Sequence, residues 1–154
     1  MNVISVKDIK RISSNYKSKG LKIVFTNGCF DLLHKGHLDL LKKSSKYGDK
    51  LIVGLNSDSS IKKLKGASRP VENEMKRFQK LMALNYVDHV IIFEQITPKK
   101  LISELKPDVL VKGGDYELNN IIGADEVVSN GGIIKIIPLT PGFSTTSIIK
   151  KRFI

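Results

Sequence analysis

The sequence contains little cysteine, few aromatic residues and no long apolar run. Its single cysteine, Cys29, excludes an intrachain disulfide framework and is typical of a reducing cytoplasm. No apolar run approaches the length of a membrane span, and residues 1–10 are charged and lack an apolar signal-peptide segment. Tryptophan is absent and aromatic residues make up 6% of the chain, so no base-stacking platform for nucleic acid is indicated. We therefore expect a cytoplasmic protein that binds neither a membrane nor a nucleic acid.

Positive charge, in contrast, is abundant. The 26 lysine and arginine residues outnumber the 15 aspartate and glutamate residues, which gives a formal net charge of +11. Because the lysines are spread along the chain, they favour a site for small polyanions over a nucleic-acid surface. The 154 residues fit one domain with a sizeable core. We predict a single domain over residues 1–154, in which residues 1–19 form an N-terminal helical extension.

Short apolar runs alternate with helical stretches along the chain. Strands are predicted at residues 21–25, 50–55, 89–93, 109–112 and 133–137. Helices are predicted at residues 7–19, 36–47, 59–64, 72–84, 98–105, 124–129 and 144–152. Strands that are apolar throughout and separated by helices indicate a parallel sheet covered on both faces. The predicted fold is therefore α/β, with a doubly wound, five-stranded, Rossmann-like parallel sheet.

The most informative motif is His34-Lys35-Gly36-His37, which follows the first strand and a glycine-containing turn. Backbone N–H groups at such a turn and at a helix start bind anions, and two imidazoles three residues apart can reach one group of oxygens. Two histidines near a helix start are also common on surfaces, and H-x-x-H can form half of a zinc site. Zinc needs three or four ligands, and the rest of the sequence lacks a suitable motif. We therefore predict a phosphate site without a protein-built metal centre.

Other polar segments follow the predicted strands, and the carboxyl ends of parallel strands are where ligands bind in this fold class. They are residues 56–58, residues 112–116 and residues 138–146. A basic loop, residues 65–70, contains Lys65 and Arg69 between glycine and proline and is suited to closing over phosphates. Lys62 and Lys63 are expected to lie on a solvated face. Four consecutive hydroxyl residues, 144–147, exceed what a helix cap requires and indicate phosphate binding.

These residues resemble a known family. His34-Lys35-Gly36-His37 matches the H-x-G-H signature of the nucleotidylyltransferase superfamily, and residues 144–149 resemble its second, hydroxyl-rich signature. Within that superfamily, the sequence is most similar to heptose 1-phosphate adenylyltransferases of bacterial surface-sugar synthesis. The matching stretches are residues 26–34, 53–58, 64–66, 69–71, 107–116 and 142–146.

Two departures refine the resemblance. Cytidylyltransferase relatives usually carry a basic residue shortly before the hydroxyl-rich signature, whereas residues 138–141 here are Pro-Leu-Thr-Pro. This difference disfavours cytidylyl transfer. Many heptose enzymes of this type are fused to a sugar-kinase domain, for which 154 residues leave no room. The expected form is therefore the stand-alone enzyme.

The resemblance implies transfer of AMP from ATP to D-glycero-D-manno-heptose 1-phosphate, with Mg²⁺ bridging the triphosphate oxygens. It implies a catalytic role for His34, His37 and Lys65. The implied nucleotide contacts are Thr26, Asn27, Gly28, Cys29, Phe30, Gly36, Lys112, Gly113, Gly114, Asp115, Ser144, Thr145 and Thr146. The implied sugar-phosphate contacts are Asn56, Asp58, Lys65 and Arg69. We also expect a homodimer.

Three alternatives stay open at this point. The first is a cytidylyl- or guanylyltransferase of the same superfamily that acts on a polyol phosphate or another sugar phosphate. The second is a basic nucleic-acid-binding domain, against which the missing aromatic platform argues. The third is a nucleotide sensor, against which the intact histidine pair argues.

Overall fold

A computed structural model describes residue 4 and residues 6–114 and 120–138 of the chain. Its helices are α1 (Val6–Ser18), α2 (Lys35–Ser45), α3 (Asp58–Lys65), α4 (Glu74–Met82), α5 (Lys99–Leu105) and α6 (Ala124–Ser129). Its strands are β1 (Ile23–Gly28), β2 (Lys50–Asn56), β3 (His89–Phe93), β4 (Val109–Gly113) and β5 (Ile133–Ile137). Within these described stretches, no helix combines the length and the apolar character needed to cross a membrane.

The five strands form one parallel sheet in the order β3-β2-β1-β4-β5. The chain builds the sheet outwards from β1 to β3 and then returns to the other side of β1 to add β4 and β5. The point where this order reverses lies between β1 and β4, and it is where ligands bind in folds of this class. The predicted doubly wound, five-stranded parallel sheet is confirmed.

Element boundaries differ from the prediction by a few residues, for identifiable reasons. Strand β1 continues to Gly28, three residues beyond the predicted strand, because residues 26–28 pair with residues 53–55 of β2. Helix α4 begins at Glu74 rather than at residue 72 because the Asn73 side chain caps it by accepting a hydrogen bond from the Lys76 N–H. The predicted helix at residues 144–152 lies outside the described residues.

The two sheet faces carry separate apolar layers. Helices α2 and α4 cover one face, where Leu41 and Leu81 pack with strand residues such as Val24 and Val111. Helices α1, α5 and α6 cover the other face, which is called here the α5 face. The buried residues of the α5 face include Ile9, Ile23, Phe25, Ile102, Leu110 and Val127. Alternation along each strand therefore decides which layer a side chain enters.

The N-terminal helix is attached to the sheet by buried and partly buried contacts. Ile9 is 1% exposed and packs in the layer of the α5 face. The Ser13 hydroxyl donates a 2.6 Å hydrogen bond to the Leu105 carbonyl at the end of α5. The Tyr16 hydroxyl lies 2.6 Å from His89 Nε2 on the edge strand β3. Helix α1 thus contacts the core layer, the end of α5 and the edge strand β3 along its length.

Candidate active site

His34 and His37 form a reciprocal cap at the start of α2. His34 is the N-cap residue, and its Nδ1 accepts from the Gly36 N–H at 3.1 Å and the His37 N–H at 3.4 Å. His37 Nδ1 in turn accepts from the His34 N–H at 3.3 Å. Because each Nδ1 accepts a backbone N–H, each neutral ring carries its proton on Nε2. The sequence prediction of two imidazoles at a helix start is therefore met by two rings that present Nε2–H donors.

The two imidazole rings are stacked, with centroids 3.7 Å apart and planes inclined by 20°. The pKa of His37 is lowered to about 4, first by burial and then by the nearby charges of His34 and Lys65, against the opposing effect of Asp31. Burial also lowers the pKa of His34. Both rings are thus neutral near pH 7, and they can act on an anion as hydrogen-bond donors rather than as cations.

The turn after β1 has a constrained backbone. Phe30 and Leu32 adopt left-handed conformations, with φ of 47° and 54°. For a residue other than glycine this conformation costs roughly 1–2 kcal/mol, so surrounding contacts must hold it. The Phe30 ring lies edge-on to His37 at 5.3 Å and fills the space above Gly28, where an added Cβ would meet it at 3.1 Å. The turn is therefore shaped around the histidine pair.

Asp31 connects this turn to the basic loop that precedes α4. Its carboxylate is 1% exposed and accepts from Arg69 Nε at 3.2 Å, the Val71 N–H at 2.8 Å and the Glu72 N–H at 3.0 Å. Arg69, predicted as a sugar-phosphate contact, thus commits its Nε to Asp31. The sequence analysis did not single out Asp31 and so missed its connecting role.

Arg77 is the second group that sequence reasoning missed. Its side chain is fully buried in α4, at 0% exposure. The guanidinium donates to the Cys29 carbonyl at 2.9 Å, the Asn56 carbonyl at 2.7 Å, the Glu72 carbonyl at 2.9 Å and Asp58 Oδ1 at 2.7 Å. One side chain therefore fixes the carboxyl ends of β1 and β2 together with Glu72, which lies between the basic loop and α4. Its place four residues before buried Leu81, on the same helix face, is the signal that could have found it.

The predicted sugar-phosphate contacts lie around this arginine. Asn56 is 4% exposed at the end of β2. Asp58, at the start of α3, receives the Arg77 guanidinium, and its N–H donates to Glu74 Oε1 at 3.0 Å. The structure thus brings both residues to the expected edge of the sheet. Whether they contact a substrate stays a prediction.

Lys65 is the last residue of α3. Lys62, Lys63 and Lys65 are all exposed. The charge of Lys65, however, contributes to lowering the pKa of His37 and to partly offsetting the rise that burial causes in the pKa of Cys29. Lys65 therefore lies within electrostatic reach of both the histidine pair and the strand-one turn, as its proposed phosphate contact requires.

The remaining predicted nucleotide contacts lie at the ends of β1 and β4. The Thr26 hydroxyl donates to the Val111 carbonyl at 3.0 Å, and Lys112 Nζ donates to Asn27 Oδ1 at 3.0 Å. Gly113 ends β4, and Gly114 follows with a φ of 109° and an N–H bound to the Ile137 carbonyl at 2.9 Å. The other predicted contacts, Asp115, Ser144, Thr145 and Thr146, lie outside the described residues. Among the described residues, no group of three or more His, Cys, Asp or Glu could hold a metal ion.

A helix start with two neutral imidazoles, beside a constrained turn at the switch point of a parallel sheet, is a candidate site for a phosphate-bearing ligand. The cytidylyltransferase-like family model matches residues 25–151, and the chain belongs to this family. The match confirms the resemblance to the nucleotidylyltransferase superfamily and the predicted enzyme class, a nucleotidyltransferase.

Relatives of known name share much of the sequence. The chain is 47% identical over 149 residues to the bifunctional protein HldE of Koribacter versatilis, covering 97% of this chain and 31% of that protein. It is 53% identical over 135 residues to the bifunctional protein HldE of Geobacter metallireducens, covering 88% of this chain and 28% of that protein. The chain thus spans less than a third of the length of these curated relatives.

A solved structure has the same fold. It is the lipopolysaccharide core biosynthesis protein from Thermoplasma volcanium, which matches with a TM-score of 0.62 and 31% sequence identity. The match covers 79% of this chain and 98% of that chain. The five-stranded α/β nucleotidylyltransferase fold is therefore shared with a protein of established structure.

Proposed function

We propose that this chain transfers AMP from ATP to D-glycero-D-manno-heptose 1-phosphate, giving ADP-heptose and pyrophosphate for surface-polysaccharide synthesis in the cytoplasm. The observation that carries the proposal is the neutral, stacked histidine pair capping α2. The sequence resemblance to heptose 1-phosphate adenylyltransferases supports the choice of substrates. So does the likeness to a lipopolysaccharide core biosynthesis protein.

In the proposed reaction a sugar-phosphate oxygen attacks the α-phosphorus of ATP. The new P–O bond forms as the bond to the bridging oxygen of pyrophosphate breaks, so the protein supplies no nucleophile. The work of the site is then positioning and charge stabilisation. The Nε2–H groups of His34 and His37 and the N-terminus of α2 donate to the negative charge that gathers on the phosphate oxygens.

The residues that the resemblance implies as contacts take the following proposed roles. The backbone N–H groups of residues 26–30 hold phosphate oxygens, and Lys65 bridges the phosphates of the two substrates. Arg77 supports the backbone part of this assignment. The Arg77 guanidinium binds the Cys29 carbonyl. The Cys29 C=O and the Phe30 N–H belong to the same trans peptide and point in opposite directions. The Phe30 N–H therefore points away from Arg77. Gly113-Gly114 and Asp115 contact ribose or base, and residues 144–146 contact the β and γ phosphates.

Mg²⁺ and a second subunit complete the proposal. A nucleotide-bound Mg²⁺ keeps most of its ligands as phosphate oxygens and waters and needs only one or two protein carboxylates. When bound, Mg²⁺ neutralises charge on the triphosphate.

We also propose one domain over residues 1–154, with α1 as its extension. We further propose a homodimer, and analytical ultracentrifugation would measure its mass.

A second candidate is cytidylyl or guanylyl transfer to a polyol phosphate or another sugar phosphate. The description of the matching family as cytidylyltransferase-like favours it. The two candidates are separated by pyrophosphate release with ATP, CTP, GTP and UTP against a panel of sugar 1-phosphates and polyol phosphates. The proposal predicts the highest kcat/KM for ATP with heptose 1-phosphate. A preference for CTP or GTP would reject adenylyl transfer and retain the broader class.

A further inference from the structure

Strands β1 and β4 separate at the switch point of the sheet. Strand β1 pairs with β2 over all six residues from Ile23 to Gly28, but it pairs with β4 only at Val24–Val109 and Phe25–Leu110. Beyond those pairs the gap is bridged by side chains. The Thr26 hydroxyl reaches the Val111 carbonyl, and one residue further out Lys112 Nζ reaches Asn27 Oδ1, each at 3.0 Å.

Asn27 and Lys112 lie on the face of the sheet opposite the histidine helix. Phe25 and Leu110, two residues before them on the same strands, belong to the layer of the α5 face. A Cβ built on Gly54 would meet both the Phe25 ring and Asn27 Cβ, which places those two side chains on one face. Helix α2 packs through Leu41 on the other face. The histidine pair and the Asn27–Lys112 pair therefore approach the strand ends from opposite sides.

The Lys112 ammonium has a polar partner but no compensating charge among the residues that the structure describes. Its hydrogen bond goes to a neutral amide oxygen, and none of the ion pairs between described residues includes it. Burial lowers its pKa, as expected for a cation removed from water. An ammonium has three donors, so two more can reach a ligand. A half-buried cation at a ligand crevice favours an anionic group.

In-line displacement requires the attacking and leaving groups to lie on opposite sides of the α-phosphorus. In the proposed function the histidines and the N-terminus of α2 bind the triphosphate, and Lys112 lies on the opposite face of the sheet. We propose that Lys112, positioned by Asn27, binds the phosphate group of the acceptor substrate, so both residues serve the acceptor rather than the nucleotide. This inference rests on the proposed transfer of a nucleotidyl group to a phosphate oxygen of the acceptor. It does not depend on which sugar or which base is used.

The test compares Lys112→Met with wild type in the full chain. It uses the nucleotide and phosphate acceptor that wild type turns over fastest in the panel. A charge-assisted hydrogen bond is worth about 1.5–3 kcal/mol, so the KM for the acceptor at saturating nucleotide should rise about tenfold or more. The Kd for the nucleotide alone, measured by calorimetry, should stay unchanged. Lys135→Met, which removes the same charge from exposed Lys135 on β5, is the matched control and should leave both constants unchanged.

Two further variants guard against misfolding. Lys112→Arg keeps a cation and should restore most of the acceptor affinity. Lys112→Gln keeps a donor for Asn27 without the charge and should behave like Lys112→Met. A weaker nucleotide Kd with a normal acceptor KM would overturn the inference, as would equal losses for both substrates or no loss for either. If wild type prefers a different nucleotide or acceptor, the adenylyltransferase proposal fails while the Lys112 comparison still decides this inference.

Discussion

Arg77 and Asp58 form a 2.7 Å ion pair in which the guanidinium is fully buried and the carboxylate is 31% exposed. The pair joins α4 to the start of α3, and the same guanidinium binds carbonyls at the ends of β1 and β2. The two strand ends and the start of α3 thus share one cationic centre. That centre holds in place the turn on which the histidine pair is built.

Arg77→Met should lower the free energy of unfolding by about 3–5 kcal/mol, because it leaves buried carbonyls and the Asp58 carboxylate without their donor. Urea denaturation measures the loss. Arg11→Met is the control, since Arg11 is 77% exposed and its pairing with Asp8 is a surface contact. It should change the free energy by less than about 0.5 kcal/mol. Similar losses in the two variants would contradict the role given to Arg77.

The stability of the fold should fall on acidification because His37 is held neutral. Its pKa is lowered to about 4 in the folded chain, whereas an unfolded histidine titrates near its ordinary value of about 6.5. Between these pH values the unfolded chain binds more protons, so the free energy of unfolding decreases as pH falls from about 6.5 to about 4. His37→Gln should flatten this part of the curve. Urea titrations at pH 7, 6 and 5 measure the free energy of unfolding of both proteins. If it falls equally with pH in wild type and variant, the lowered pKa of His37 is not the cause.

Lys65→Ala should reduce kcat/KM far more than Lys62→Ala. Both lysines lie on α3 and are exposed, so the two substitutions remove the same charge from the same helix. Lys65 alone of the two contributes to the lowered pKa of His37, which places its charge at the site. Steady-state pyrophosphate release under identical conditions compares them. Equal losses of kcat/KM in the two variants would mean that Lys65 contributes only to the net positive charge of the protein.

The sequence predicted the sheet and the histidine site because both depend on local patterns. Apolar runs mark the strands, and the two histidines at a helix start mark the predicted anion site. Contacts between distant segments were not predictable in this way. Arg77 meets Cys29 across 48 positions, and Lys112 meets Asn27 across 85. A charged residue in an amphipathic helix is usually exposed, so only the spacing of Arg77 from Leu81 indicated that it is buried.

The central claim is that the neutral histidine pair stabilises charge at the reacting phosphorus. The direct test is the single-turnover rate of His37→Ala with ATP and heptose 1-phosphate. His89→Ala is the control, because His89 lies on β3 away from the site. Loss of one preorganised donor should lower the rate by about 10²–10³ for His37→Ala, with a cooperative thermal melt showing that the fold persists. His89→Ala should turn over at the wild-type rate. A folded His37→Ala protein with near-normal turnover would contradict the account.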